Sequence, residues 1–77
     1  MNENELLKEL TKLIFLYRKK RKYTLTNLAK EIGCDSQFLR NLELGRHSTQ
    51  VDNYLKLARK LEIPTEEIVK IIKNYYS

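Results

Sequence analysis

The chain is poor in most of what catalytic, secreted and membrane proteins need. Cys34 is its single cysteine, so no intrachain disulfide and no multi-cysteine metal site can form. His47 is the single histidine, with no cysteine or second histidine close by, which argues against a metal centre or a nucleophilic triad. Gly33 and Gly45 are the only glycines, too few for a phosphate-cradling loop. No apolar run approaches the roughly 20 residues that a membrane span requires. The opening MNENELLKEL is polar and acidic and does not read as a signal peptide. The carboxylates Glu3, Glu5, Glu9, Glu31, Glu62, Glu66 and Glu67 are scattered over helix surfaces and form no acid–base pair. These absences predict a protein that is not an enzyme, carries no cofactor or metal, and resides in the cytoplasm.

What is present is charge and helical periodicity. Seventy-seven residues make one domain with a modest core, expected within residues 10–69, with a C-terminal helix running to residue 76. The net charge is +5 with a pI near 9.4. A basic balance favours a polyanionic partner and says nothing about fold. Arg18-Lys19-Lys20-Arg21-Lys22 is a run of five cations. On its own it reads as a solvated helix end stabilised by the helix dipole. Directly before the motif described next, it is expected to face phosphates in part.

That motif is TLTNLAKEIGCDSQFLRNLELG, Thr24 to Gly45. Thr24 is a candidate N-cap. Leu28, Ala29 and Ile32 recur on one helical face, and Gly33 follows where a left-handed residue ends a helix. Asp35 can cap a second helix, Ser36 to Leu44, with Leu39 and Leu42 inward and Gly45 at its end. Counting from Leu25, the small Ala29 is fifth, Gly33 ninth and Leu39 fifteenth. Leu28, Ile32, Cys34 and Leu42 fill the fourth, eighth, tenth and eighteenth places, all apolar. A helix-turn-helix needs these residue types in this register, because its second helix crosses the first closely at a fixed angle.

Tyr17 to Val69 resembles the lambda-repressor-like (Cro/XRE) helix-turn-helix family. The resemblance implies an all-α fold of five helices, the second and third forming the helix-turn-helix. It implies an operator-binding transcriptional regulator, a repressor, acting on double-stranded DNA as a homodimer. Arg18 and Glu43 stand where the family has a structural ion pair. Ser36, Gln37 and Asn41 align with base-reading positions, and Arg40 is expected to read a base or clamp a phosphate. Gln and Asn can bond adenine, and Arg can bond guanine, in the major groove. Three positions depart from the family's pattern: Leu25 replaces a frequent Gln at the start of helix 2, and Lys22 and Glu62 replace glycines. Lys22 must therefore bear an uncomfortable backbone or a different turn.

Phosphate contacts are expected from Thr24 and Thr26 at the start of helix 2, where backbone amides favour an anion. Arg46 and His47 after helix 3, and Lys22, should add to them. Thr49 to Asp52 fits a capping box for helix 4, whose Tyr54, Leu57, Ala58 and Leu61 point inward. In helix 1, Leu7, Phe15 and Leu16 broaden the apolar surface beyond one core stripe. Helix 5 carries Ile71, Ile72, Tyr75 and Tyr76, more apolar surface than one domain face needs. The plain alternative is a greasy terminus that frays; the reading favoured here is a homodimer seam, aided by Leu6, Leu7 or Phe15. A dimer predicts an inverted-repeat operator. The competing reading keeps the fold but binds a protein partner, as an antitoxin does. The controller protein of a restriction-modification system is a close subtype of the regulator.

Overall fold

The computed structural model describes residues 2–46 and 49–77. Asn2 starts the first helix by accepting a hydrogen bond from the Glu5 amide at 2.9 Å. This helix, α1, spans Glu3–Lys20, with Glu3 and Glu5 at its positive end and Arg18, Lys19 and Lys20 at its negative end. It is followed by α2 (Leu25–Ile32), α3 (Ser36–Glu43), α4 (Val51–Lys60) and α5 (Thr65–Tyr76). Among the described residues there is no strand.

The hub is α1, which packs against α3, α4 and α5, while α2 packs against α3 and α4. That surrounds α1 on more than one side and explains its wide apolar surface. Phe15, expected as surplus available to a partner, is only 6% exposed and belongs to the core. Leu7 is half-buried against the same core, and Leu16 alone of the three is open, at 62%. Leu28, Leu39, Leu42, Leu57 and Leu61 are essentially sealed from solvent. Each contributes about 1.5–3 kcal/mol by leaving water. Ile63, in the break between α4 and α5, is buried too and closes the core from below. Tyr54 is 1% exposed, and its hydroxyl lies 3.2 Å from that of Thr11, so the buried phenol has a polar partner.

The capping box expected from Thr49 to Asp52 does not form. The N-cap of α4 is Gln50, with no side-chain cap bond. Starting one residue later leaves the Thr49 hydroxyl short of the first-turn amides, and it accepts instead from the Asn53 amide group at 2.7 Å.

Four of the helices end in one construction. A left-handed residue follows the helix, and the next amide reaches back five positions. The left-handed residues are Lys22 (φ 61°), Gly33 (φ 74°), Gly45 (φ 74°) and Glu62 (φ 55°). The matching bonds run from Tyr23 to Arg18, Cys34 to Ala29, Arg46 to Asn41 and Ile63 to Ala58, all 2.9–3.0 Å. The strained turn expected at Lys22 is present, and Glu62 repeats it. Nothing stands within 4 Å of a Cβ built on Gly33 or Gly45, so it is backbone conformation, not space, that asks for glycine there.

Candidate nucleic-acid interface

The interface is built around a three-residue turn. Thr24 Oγ1 accepts from the Asn27 amide at 3.0 Å and starts α2; Asp35 Oδ1 accepts from the Gln37 amide at 2.9 Å and starts α3. Between them, Gly33, Cys34 and Asp35 reverse the chain. Ala29 is 2% exposed, the close approach that its size allows. Burying Leu39 and Leu42 turns the opposite face of α3 outward. Gln37 and Arg40 are exposed on it, and Ser36 and Asn41 are half-buried at its edges. These four occupy adjacent rows of an eight-residue helix, a width that fits a major groove. Leu44, at the end of the same helix, is 54% exposed.

Thr24, Thr26, Lys22 and Arg46 are all exposed. Thr24 spends an oxygen lone pair on its own helix and keeps its hydroxyl proton for an acceptor. His47, also expected at the phosphates, lies outside the described residues. Leu25 is half-buried against the core, so the residue that replaces a polar one at this end packs inward.

Arg18 braces the site from behind. Its Nη1 donates to the Tyr23 carbonyl at 2.8 Å, and its Nη2 lies 3.1 Å from Glu43 Oε1. One side chain thus joins α1, the residue before the α2 cap, and the last residue of α3. With 14% of the Arg18 side chain and 24% of Glu43 exposed, the pair is mostly out of water. Both terminal nitrogens of the guanidinium are thus engaged by the scaffold. Its buried Nε has no hydrogen-bond partner.

Sequence reasoning missed two links. Arg21, within the run expected to face phosphates in part, donates from Nε to the Leu61 carbonyl at 3.0 Å and from Nη2 to the Glu62 carbonyl at 3.1 Å. The signal was there, since a non-glycine at position 62 needs outside help. Lys60 Nζ lies 2.9 Å from Glu31 Oε2, tying α4 to α2 at the surface. That hydrogen bond, and then the Glu31 charge, raise the Lys60 pKa.

Cys34 is half-buried in the turn. Burial, and secondarily the Asp35 charge, push its thiol pKa up, so it stays protonated at neutral pH. A cavity of about 630 Å³ lies between α1 and the end of α3, lined by Leu7, Phe15, Leu42, Leu44 and Tyr54, with Lys8 and Lys12 beside it. It includes none of the residues expected to touch DNA. Among the described residues, no group of three or more His, Cys, Asp or Glu is placed to hold a metal, and no helix is long and apolar enough to cross a membrane.

On α5, Ile68 and Ile71 are half-buried against the core, and Tyr75 is half-buried as well. Val69 (39%), Ile72 (38%) and Tyr76 (80%) are open. The two sets follow the same three-then-four spacing, one position apart, so α5 has an inner and an outer apolar stripe. The expected seam residues are thus split: Ile71 and Tyr75 lie with the inner stripe, Ile72 and Tyr76 with the outer.

Compared with known proteins, residues 14–68 match the family model described as helix-turn-helix. Comparison with curated proteins and with solved structures gave no match.

Proposed function

The chain belongs to the helix-turn-helix family of Cro/C1-type, XRE regulators, which bind DNA, and from that premise we propose that it is a homodimeric repressor of an inverted-repeat operator. The observation that carries the reading is the outward stripe Ser36, Gln37, Arg40 and Asn41 on α3, beside the open start of α2. In this reading Gln37 and Asn41 read base edges, with Ser36 at the edge of the groove and Arg40 on a guanine or a phosphate. Thr24, Thr26, Lys22, Arg46 and His47 hold the backbone and set the register.

The dimer is supported by the outer stripe of α5. A single α3 reads only a few base pairs. Two copies related by a dyad place their recognition helices roughly 34 Å apart, one turn of DNA. Val69, Ile72 and Tyr76 form the centre of the seam, with Tyr75 and Ile71 beneath it. Repression follows where the operator overlaps a promoter, because the bound dimer then occupies the DNA that the polymerase needs.

Selection of bound sequences from random duplexes tests the reading, and an inverted repeat is the expected product. On that site Gln37→Ala or Asn41→Ala should cost about 1–3 kcal/mol and relax one position per half-site, while Arg46→Ala weakens all sequences alike. Equal losses on selected and random DNA for both kinds of variant would refute the assignment. Sedimentation should show a dimer that Ile72→Asp dissociates, with loss of operator binding. A dimer indifferent to that substitution would move the seam off α5.

A further inference from the structure

We propose that Arg21 is a positioning residue for two-fold operator reading: it clamps the turn that leads from α4 into α5 to the end of α1 and so sets the distance between the two recognition helices. The proposal rests on the dimer reading above. Its basis is that the core holds α5 through half-buried residues, Ile68 and Ile71, and through none that is fully buried. That helix packs against α1. It leaves α4 through a turn whose residue Glu62 is left-handed at φ 55°, a conformation that strains any residue with a Cβ.

The clamp acts on that turn. The carbonyls of Leu61 and Glu62 lie at and beyond the end of α4, past its own hydrogen-bond ladder. Arg21 Nε takes the first at 3.0 Å and Nη2 the second at 3.1 Å. The guanidinium carbon also lies 5.7 Å from the ring centre of Tyr17, which is buried. Two donors of one rigid plane fix direction as well as distance, which a lysine ammonium cannot do.

Small errors at this point are magnified at the seam. The twelve residues of α5 span about 18 Å, so a tilt of about 10° at its start moves the far end by about 3 Å. That is close to the rise of one base pair, roughly 3.4 Å. A loosened clamp would therefore be felt as a loss of half-site spacing preference.

The test uses the selected operator and two versions with one base pair added or removed between the half-sites. Affinity for all three is measured for the parental chain, Arg21→Lys, Arg21→Ala and the double variant Arg21→Ala/Glu62→Gly. Glycine at 62 relieves the strained turn, so the double variant folds without the clamp. The parental chain is expected to prefer the selected spacing by about tenfold. Arg21→Lys and the double variant should fall to within about threefold while the double variant keeps the parental melting temperature and remains a dimer. Arg21→Lys should also keep the parental affinity for random duplex, because its charge is unchanged. Parental spacing preference in Arg21→Lys, or in the double variant, overturns the proposal. A parental chain that is monomeric, or that selects no inverted repeat, overturns the dimer reading and this proposal with it, and is told apart because it shows before any variant is made.

Discussion

Gly33 and Gly45 bracket the recognition helix, while Lys22 and Glu62 close α1 and α4, yet all four turns make the same backward hydrogen bond. What differs is the agent that keeps the backbone left-handed. Glycine needs none. Lys22 and Glu62 each carry a Cβ, at a cost of roughly 1–2 kcal/mol. Each of these turns is braced by an arginine of the first helical segment: Arg18 on the Tyr23 carbonyl, Arg21 on the carbonyls of Leu61 and Glu62. The two glycine turns are thus local devices, complete within a few residues. The Glu62 turn depends on a partner 40 positions away, whereas the brace at the Lys22 turn comes from Arg18, five positions before Tyr23. A local turn tolerates change in its surroundings; a braced turn transmits it.

The largest expected break in this contrast is Arg18→Ala. It frees the Lys22 turn and leaves the Glu43 carboxylate mostly out of water with no counter-charge. The loss should be about 2–3 kcal/mol in urea unfolding, below the range for fully buried pairs because both side chains keep some solvent. A loss under about 0.5 kcal/mol would reduce the pair to a surface contact and the brace to decoration.

Next come the turns themselves, where the two kinds should respond with opposite sign. Gly33→Ala or Gly45→Ala should destabilise by about 1 kcal/mol through backbone strain alone, since no neighbour crowds the new Cβ. Lys22→Gly or Glu62→Gly should stabilise by up to roughly 1 kcal/mol as the strain is removed. The same sign at all four positions would mean that the braces leave no residual strain.

The smallest effect concerns Cys34, the residue that completes the Gly33 turn. Its pKa is raised above the ordinary 9.0 by burial and then by Asp35. The folded state therefore holds a proton that the unfolded chain has released, so stability should fall as pH climbs from about 9 through the folded-state pKa. Below that window the thiol contributes nothing to the pH profile. Alkylation of the native protein at pH near 8 should be slower than that of the urea-unfolded chain. Equal rates would place the thiol in water and make this turn looser than its neighbours.

How much was legible follows the same division. The register from Ala29 to Leu42, the caps Thr24 and Asp35, and the inward Tyr54, Leu57, Ala58 and Leu61 are all readable, because each depends on neighbours within a turn or two. The left-handed strain at Lys22 was readable only through the resemblance, because a lysine stands where the family has glycine. Phe15 was misjudged because a helix face is surplus or core according to how many helices surround it. Thr49 was misjudged because shifting a helix start by one residue takes a cap out of reach.

By itself, then, the amino-acid sequence determined the helix-turn-helix and which side of α3 faces out. Capping, left-handed glycines and helical periodicity are short-range, and two buried leucines are enough to orient an eight-residue helix. Only the tertiary structure decided that Arg21 serves the scaffold. The resemblance had already set Arg18 apart as the partner of Glu43, but nothing in the run distinguishes Arg21 from Lys19, Lys20 and Lys22. The distinction comes from carbonyls brought to it by a distant segment, and a charge is drawn inward only where such acceptors replace the water it gives up.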